Sequence, residues 1–549
     1  MSGHQAFKRV PVQPEVAQHY QTMTFPAPTR GIIESENFTY MQPGGAIRLD
    51  NWVPTLRGVK LRGGSVRWAQ LPEVEPVISG FEYISYGNDK IFAANQSKLY
   101  DVSVSGFPQE VVAGMSSGNY SATQLSNQGG DWMVAVTDSG GDPPLRFDGT
   151  TWTKLTNDEI NGPIDSAVEH GRDLVYVWKY RNRLFFIEYQ SMNAWYLPLN
   201  AIQGALLMIP LSGAATRGGK LLFGATWSID AGDGTDDKCV FATDQGELLI
   251  FSGGDPSVAT NWRQEGRYQI SKPMGQNAHM SIGGDLLIAT VDGIVPVSQA
   301  ITKTQDQLDL ASLTRNIKST WRDMVTTRNT FPWQMKKWDE WGGVITTWPG
   351  GPEGKQYVGV ANSATGAWGR ITGWDALCWI YLHGRMFFGT QTGKIMEANR
   401  TGYDDNQYPY TAVMVGGWEM FQQTAATVVW HQARATFSSV PGQPFVPQLS
   451  ACTDYVVKIP IPPQAGPDPG IPDVWDQGLW GTDPPLGHAL WDQAAALFAP
   501  VVRNTGWVSI GETGFSHAPI CQVTVAQHAT PVVELISISA TFERLGVNV

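Results

Sequence analysis

KIFAANQSKLYDV, residues 90–102, reads as two short apolar strands around an Asn-Gln-Ser turn. The same pattern returns six times: WMVAVTDSGGDPPLRF (132–147), RLFFIEYQSMNAWYLPL (183–199), CVFATDQGELLIF (239–251), DLLIATVDGIVPVS (285–298), QYVGVANSATGAWGRI (356–371) and RMFFGTQTGKIMEAN (385–399). The first five hairpins begin 42 to 56 residues apart, and the last two follow at 71 and 29. A lone hairpin cannot bury its apolar face in water. Hairpins recurring at about 40–50 residues bury it by stacking as blades around an axis. The spacing therefore predicts an all-β fold built on a β-propeller.

Composition agrees with short strands and tight turns. Charged residues are 16% of the 549, against about 25% in ordinary soluble domains. Glycine numbers 59 and aromatic residues reach 11%, which excludes a disordered chain. The net charge of −12 argues against a general nucleic-acid binder, which needs positive surface to neutralise phosphates. The longest apolar run, residues 494–502, is far short of the ~20 residues of a membrane span. The first residues carry no apolar stretch of the secretory kind. Cys239, Cys378, Cys452 and Cys521 are widely spaced, so neither a zinc site nor a disulfide framework is indicated.

Outward from the hairpins, the expected organisation is an N-terminal arm over 1–30, strands over 31–70 completing a platform, a propeller over 71–409, and a C-terminal β-domain over 410–549. The gap after residue 298 holds a helical face, Leu310, Leu313, Ile317, Trp321 and Met324, which predicts one helix near 306–325. The last domain carries ten acidic and four basic residues, whereas residues 1–70 carry eight basic and four acidic. It is interrupted by IPIPPQAGPDPGIP (459–472), too rich in proline for a central strand.

Motifs for catalysis are sparse. No phosphate loop, GxGxxG helix opening or HExxH is present. One GxSxG occurs, Gly114-Met115-Ser116-Ser117-Gly118, but NYSATQLSNQGG after it shows no helical face, so a turn is expected instead of a nucleophile elbow. The nine histidines are scattered without metal-ligand spacing. The acidic stretch 230–237, DAGDGTDD, has the oxygen donors of a calcium cage without EF-hand spacing, and an exposed turn is the simpler reading. Phe147-Asp148-Gly149-Thr150-Thr151-Trp152 reads as a tight Asp-Gly turn carrying a packing Trp. The adjacent Asp339 and Glu340 would diverge in a strand, so they make a poor pair for glycoside hydrolysis. No catalytic, cofactor or metal residue is therefore assigned, and an enzyme is not expected.

Two tryptophan groups stand out. Trp321, Trp333, Trp338, Trp341 and Trp348 read as packing. Trp475, Trp480 and Trp491 lie in VWDQGLW and its echo ALWDQ, within a loop-like stretch that has little core to enter. They are the candidate subunit or partner contacts, since interface cores are rich in Trp.

The ordered segments PGGAIRLDNWVP (43–54), GVKLRGGS (58–65), DPPLRFDGTTW (142–152), NAWYLP (193–198), LLFGATWSIDAGDGTDD (221–237), VFATDQGELLIFSGGDPS (240–257) and the WDQGLWG repeat resemble the tail nozzle proteins of short-tailed bacteriophages, the tail-tubular B type. The resemblance covers residues 31–549 and lies in many segments, not in one diagnostic site. It implies a structural virion protein without a catalytic centre, assembled in the host cytoplasm and located in the virion tail. It implies a hexameric ring that docks under a tail adaptor ring, helps hold fibres or spikes, and retains and then conducts DNA without tight binding. The rival is a carbohydrate-binding or carbohydrate-active propeller of a phage tail.

Overall fold

The computed structural model describes residues 20–37, 39, 41–161, 173–228, 236–327, 333–348, 357–400, 408–421, 427–440, 445–465, 500–525 and 532–545. The fold is nearly all β, with 53% strand and 6% helix, and six of its sheets are the blades of a propeller. Blades 1 to 5 are contiguous in sequence, over residues 79–113, 120–154, 174–210, 221–269 and 279–296. Blade 6 joins Cys378–Leu382, Arg385–Gly389 and Lys394–Arg400 to Gly64–Gln70, which arrives from the other end of the chain and closes the ring.

Six of the seven hairpins read from the sequence are the second and third strands of these blades. Those strands are covered on both faces, so they carry continuous apolar runs. Lys238–Thr243 and Glu247–Ser252 are buried along almost their whole length, whereas the outer strand Arg263–Gln269 is mostly exposed. Between the blades the same logic repeats: Phe81, Phe92, Phe147 and Trp152 pack edge to face across blades 1 and 2.

The seventh hairpin, 356–371, belongs elsewhere. Met335–Trp338, Gly343–Trp348, Tyr357–Asn362 and Trp368–Ile371 form a meander whose first strand packs between the inner strands of blades 5 and 6. Its fourth strand continues, through the parallel pair Asp50 and Arg370, into Ala46–Asp50, Tyr410–Gly416, His517–Val525 and Pro447–Thr453. This eight-stranded sheet faces a seven-stranded one centred on the long strands Val428–Ser439 and Val533–Arg544. Val428–Ser439 alternates buried and half-buried residues along most of its length, the period-2 mark of a strand with one face in a core. Together the two sheets make the platform.

The segment boundaries therefore shift from the sequence reading. Gln21–Pro26, expected in the arm, pairs with Val533–Arg544. Gly64–Gln70, expected in the platform, is propeller. Residues 335–371, expected in the propeller, are shared with the platform. The predicted helix near 306–325 is two helices, Gln305–Ala311 and Lys318–Thr327, with a 3-10 turn at Arg315–Ile317. The break has a cause at Ser312 and Thr314. Ser312 Oγ donates to the Ile294 carbonyl, and the Ile294 N–H donates to Thr314 Oγ1, which pins this stretch to blade 5. Leu310 consequently leaves the expected face and is 65% exposed, while Leu308 is buried.

Candidate functional site

Three places combine polar side chains with unusual surroundings: the joint between propeller and platform, the platform edge, and the propeller axis. At the joint, Asn51 adopts a left-handed backbone, φ 60°, and its amide ties three passing segments together. Nδ2 donates to Thr372 Oγ1 and to the Thr411 carbonyl, and Oδ1 accepts from Arg62 Nε at 2.8 Å and from the Thr372 N–H. Arg62 is 1% exposed, with its guanidinium 3.8 Å from the Tyr410 ring centroid and 5.0 Å from that of Trp374. It also donates to the Gly63 and Thr372 carbonyls. At the position before Asn51, buried Asp50 accepts two bonds from Arg370, at 2.6 and 3.0 Å, and one from Arg48 at 2.5 Å. Arg48 and Arg62, two of the basic residues of the segment 1–70, thus hold protein.

The platform edge is Val501–Asn504 and Val508–Gly514, laid end to end on Val428–Ser439. Val501, Val502, Trp507 and Val508 are all at least 40% exposed, and Arg434 sits 4.8 Å from the Trp507 ring centroid. An edge strand offers unpaired N–H and C=O groups to another chain. The chain enters this edge directly after the Trp-rich stretch. Trp475, Trp480 and Trp491 themselves lie outside the described residues.

The propeller axis opens at two mouths. At the mouth where the inner strands end lies a cavity of about 640 Å³, lined by Lys179, Arg181, Thr226 and Asp237 among others. At the mouth where they begin, a cavity of about 680 Å³ takes residues from all six blades. A hydrogen-bonded chain crosses this second mouth: Asn277 Nδ2 donates to Asn119 Oδ1 (3.0 Å), Asn119 Nδ2 to Asp138 Oδ2 (2.8 Å), and Ser117 Oγ to Asp138 Oδ1 (2.5 Å). Between the mouths the His279 ring stacks on Phe223 at 4.1 Å, and its Nε2 pairs with Tyr176 Oη at 3.2 Å. Desolvation pulls His279 down to about 4, so it is neutral at pH 7.

The sequence motifs take structural positions. Gly114–Gly118 is the turn from blade 1 into blade 2, with no helix after it. Its Ser116 donates from N–H and Oγ to the buried Asp142, which Thr137 and Ser139 also satisfy. Asp148 Oδ1 receives the N–H groups of Thr150 and Thr151, Gly149 has φ 92°, and Trp152 stacks on Phe147, a tight turn as read. Trp321, Trp333 and Trp338 are 1% exposed and Trp338 stacks on Trp341, so they pack. Asp339 pairs with Lys337 and accepts from Tyr381. Of the acidic stretch 230–237 only Asp236 and Asp237 are described, and no group of three metal-capable side chains occurs among the described residues. All four cysteines are free and buried. Among the described residues no helix is long and apolar enough to cross a membrane.

Neither the joint nor the axial mouth was visible as a motif. Asn119 and Asn277 stand 158 positions apart, and only their common place just before an inner strand could have linked them.

These features define a six-bladed β-propeller joined to a two-sheet platform. No protein-family model matches the chain, and no curated protein does. Similar solved structures include BBS1N in complex with ARL6DN, at 10% identity and TM-score 0.37, covering 63% of this chain and 98% of that one. Sqt1 of Saccharomyces cerevisiae is similar at 10% identity and TM-score 0.34, covering 64% and 96%. The Cps50 (Swd1) β-propeller domain of Myceliophteria thermophila is similar at 11% and 0.35, covering 62% and 100%.

Proposed function

We propose that the chain is a structural subunit of a phage tail nozzle, a six-membered ring that retains DNA and then conducts it, and that helps dock fibres or spikes beneath an adaptor ring. The observation that carries this reading is the platform edge. Strands Val501–Asn504 and Val508–Gly514 expose apolar side chains along a sheet edge that pairs with no further strand among the described residues, which suits addition of a neighbouring chain. The ordered segments that resemble nozzle proteins support it too, as does a charge of −12 per chain, which disfavours retention of a duplex. In this reading Trp475, Trp480 and Trp491 reach a neighbouring subunit or a fibre-type partner. Deleting residues 472–493 is then expected to leave the propeller folded and to weaken the ring; unchanged assembly would contradict the contact role. In a low-salt gel shift the assembled protein is expected not to retain duplex DNA, and tight, salt-sensitive retention would overturn the conduit.

The second reading, a carbohydrate-binding or carbohydrate-active propeller, is favoured by one observation, the polar axial mouth. Incubation with host lipopolysaccharide or capsule separates hydrolysis from both readings: sugar release that disappears when one carboxylate is replaced would establish an enzyme.

A further inference from the structure

The axial mouth where the inner strands begin is unusual in its chemistry. Carboxamides reach it from blade 1 (Gln96), blade 2 (Asn119), blade 5 (Gln276, Asn277) and blade 6 (Gln391). A carboxamide both donates and accepts, as a sugar hydroxyl does, so a ring of them matches a polyhydroxylated ligand. Lys220 from blade 4 and Asp138 from blade 2 bring opposite charges, so the lining has no net charge to select a phosphate or a carboxylate. Lys220 makes no ion pair among the described residues. Gln276 Nε2 is buried and finds no hydrogen-bond partner among them.

The mouth also has an aromatic rim. Tyr189 is 42% exposed and lines the cavity. Its ring packs against Gly140, where a Cβ would come 2.4 Å from the ring and where φ is +67°. Glycine there gives the ring a fixed seat on blade 2, leaving exposed aromatic surface at the cavity. Gln190 Nε2 donates to the Tyr189 hydroxyl at 2.9 Å, holding the phenol at the rim. The volume of about 680 Å³ falls within the ~300–1,000 Å³ of ligand pockets.

We infer that this mouth binds a neutral saccharide, with a sugar ring against Tyr189 and its hydroxyls on the Asn119–Asp138–Asn277 chain and Gln276. The inference gives the second reading a site and a ligand class, and it does not depend on the tail-tube reading. The test is titration calorimetry of the full chain with maltotriose, lactose and N,N′,N″-triacetylchitotriose. Saturable binding of at least one is expected. Tyr189→Ala and Asn119→Ala are each expected to weaken it about tenfold, while Leu310→Ser leaves it unchanged. Tyr189 is exposed at the rim, so its variant remains informative should Asn119→Ala fail to fold. Absence of binding by all three sugars, or equal binding by the folded Tyr189→Ala variant, would overturn the inference. Because ring assembly is read separately by mass, loss of sugar binding with the ring intact would sink this site alone.

Discussion

The propeller and the platform bury similar side chains by opposite routes. Each of blades 1 to 5 is a local meander, so its contacts form between residues close in sequence. The platform gathers strands from residues 21–61, 335–371, 410–453 and 501–544, and its two longest strands, Val428–Ser439 and Val533–Arg544, are about a hundred residues apart. Non-local pairing costs loop-closure entropy before contacts repay it. The propeller is thus the part that can assemble early, and the platform the part that depends on everything else being in place. The two are joined by shared apolar packing, where Met280, Leu287 and Ile294 of blade 5 enter one core with Trp52, Met335 and Trp368, and by a few polar side chains.

The sharpest way to break that comparison is at Asp50. Replacing it with Ala leaves the part-buried Arg370 without its carboxylate at the parallel pair where the meander joins Ala46–Asp50, at a cost of about 3–5 kcal/mol. Denaturant unfolding followed by Trp fluorescence is expected to split into two transitions, with the platform melting first. One unshifted transition would mean that the seam carries no coupling.

Arg62 comes next. Its truncation to Ala removes the donors that satisfy Asn51 and Thr372 and empties the space between Tyr410 and Trp374, a loss of about 2–4 kcal/mol. Arg62→Lys keeps the charge and loses the planar fork, so it is expected to recover only part of the loss. Full recovery would show that charge alone matters there.

The two regions also share a pH dependence. His279 in the propeller and His517 in the platform core, stacked on Trp430, are both pulled down to about 4 by burial. Each folded pKa lies below the unfolded value of about 6.5, so the unfolded chain binds more protons between the two. The stability that each contributes is complete above pH ~6.5 and is lost as pH falls toward 4, on the order of 2–3 kcal/mol per group. His517→Phe should flatten the acid slope of the platform transition and leave that of the propeller; His279→Phe should do the reverse. Equal effects on both transitions would mean that the regions unfold as one.

At the small end, Lys337→Ala removes an exposed pair with Asp339 and is expected to change stability by less than about 0.5 kcal/mol. A larger loss would give the meander surface a role that its packing does not suggest.

The propeller could be read from the sequence because the middle strands of a blade are buried on both faces and announce themselves as apolar runs. The hairpin 356–371 reads the same way for the same reason. What assigns it to the platform sheet is the partner of its outer strand, one pair at Asp50 and Arg370 separated by 320 residues. The helix near 306–325 carried a real apolar period, but its break depends on Ser312 and Thr314 meeting Ile294, a tertiary contact with no local sign. Arg62 looked like one of several basic residues, and its burial between two aromatic rings arises only when residues 62, 374 and 410 converge. The axial mouth was silent because each blade contributes one or two polar residues at a position defined by the ring and not by spacing along the chain.

The central claim is that the platform edge is made for assembly. Sedimentation velocity of the full chain at several concentrations, beside a variant carrying Val502→Lys and Val508→Lys, tests it most directly. The account predicts a particle of six copies of the 60.1 kDa chain for the native protein and a folded, smaller species for the variant. A native protein that sediments as a monomer at every concentration, or a variant ring indistinguishable from the native one, would contradict it.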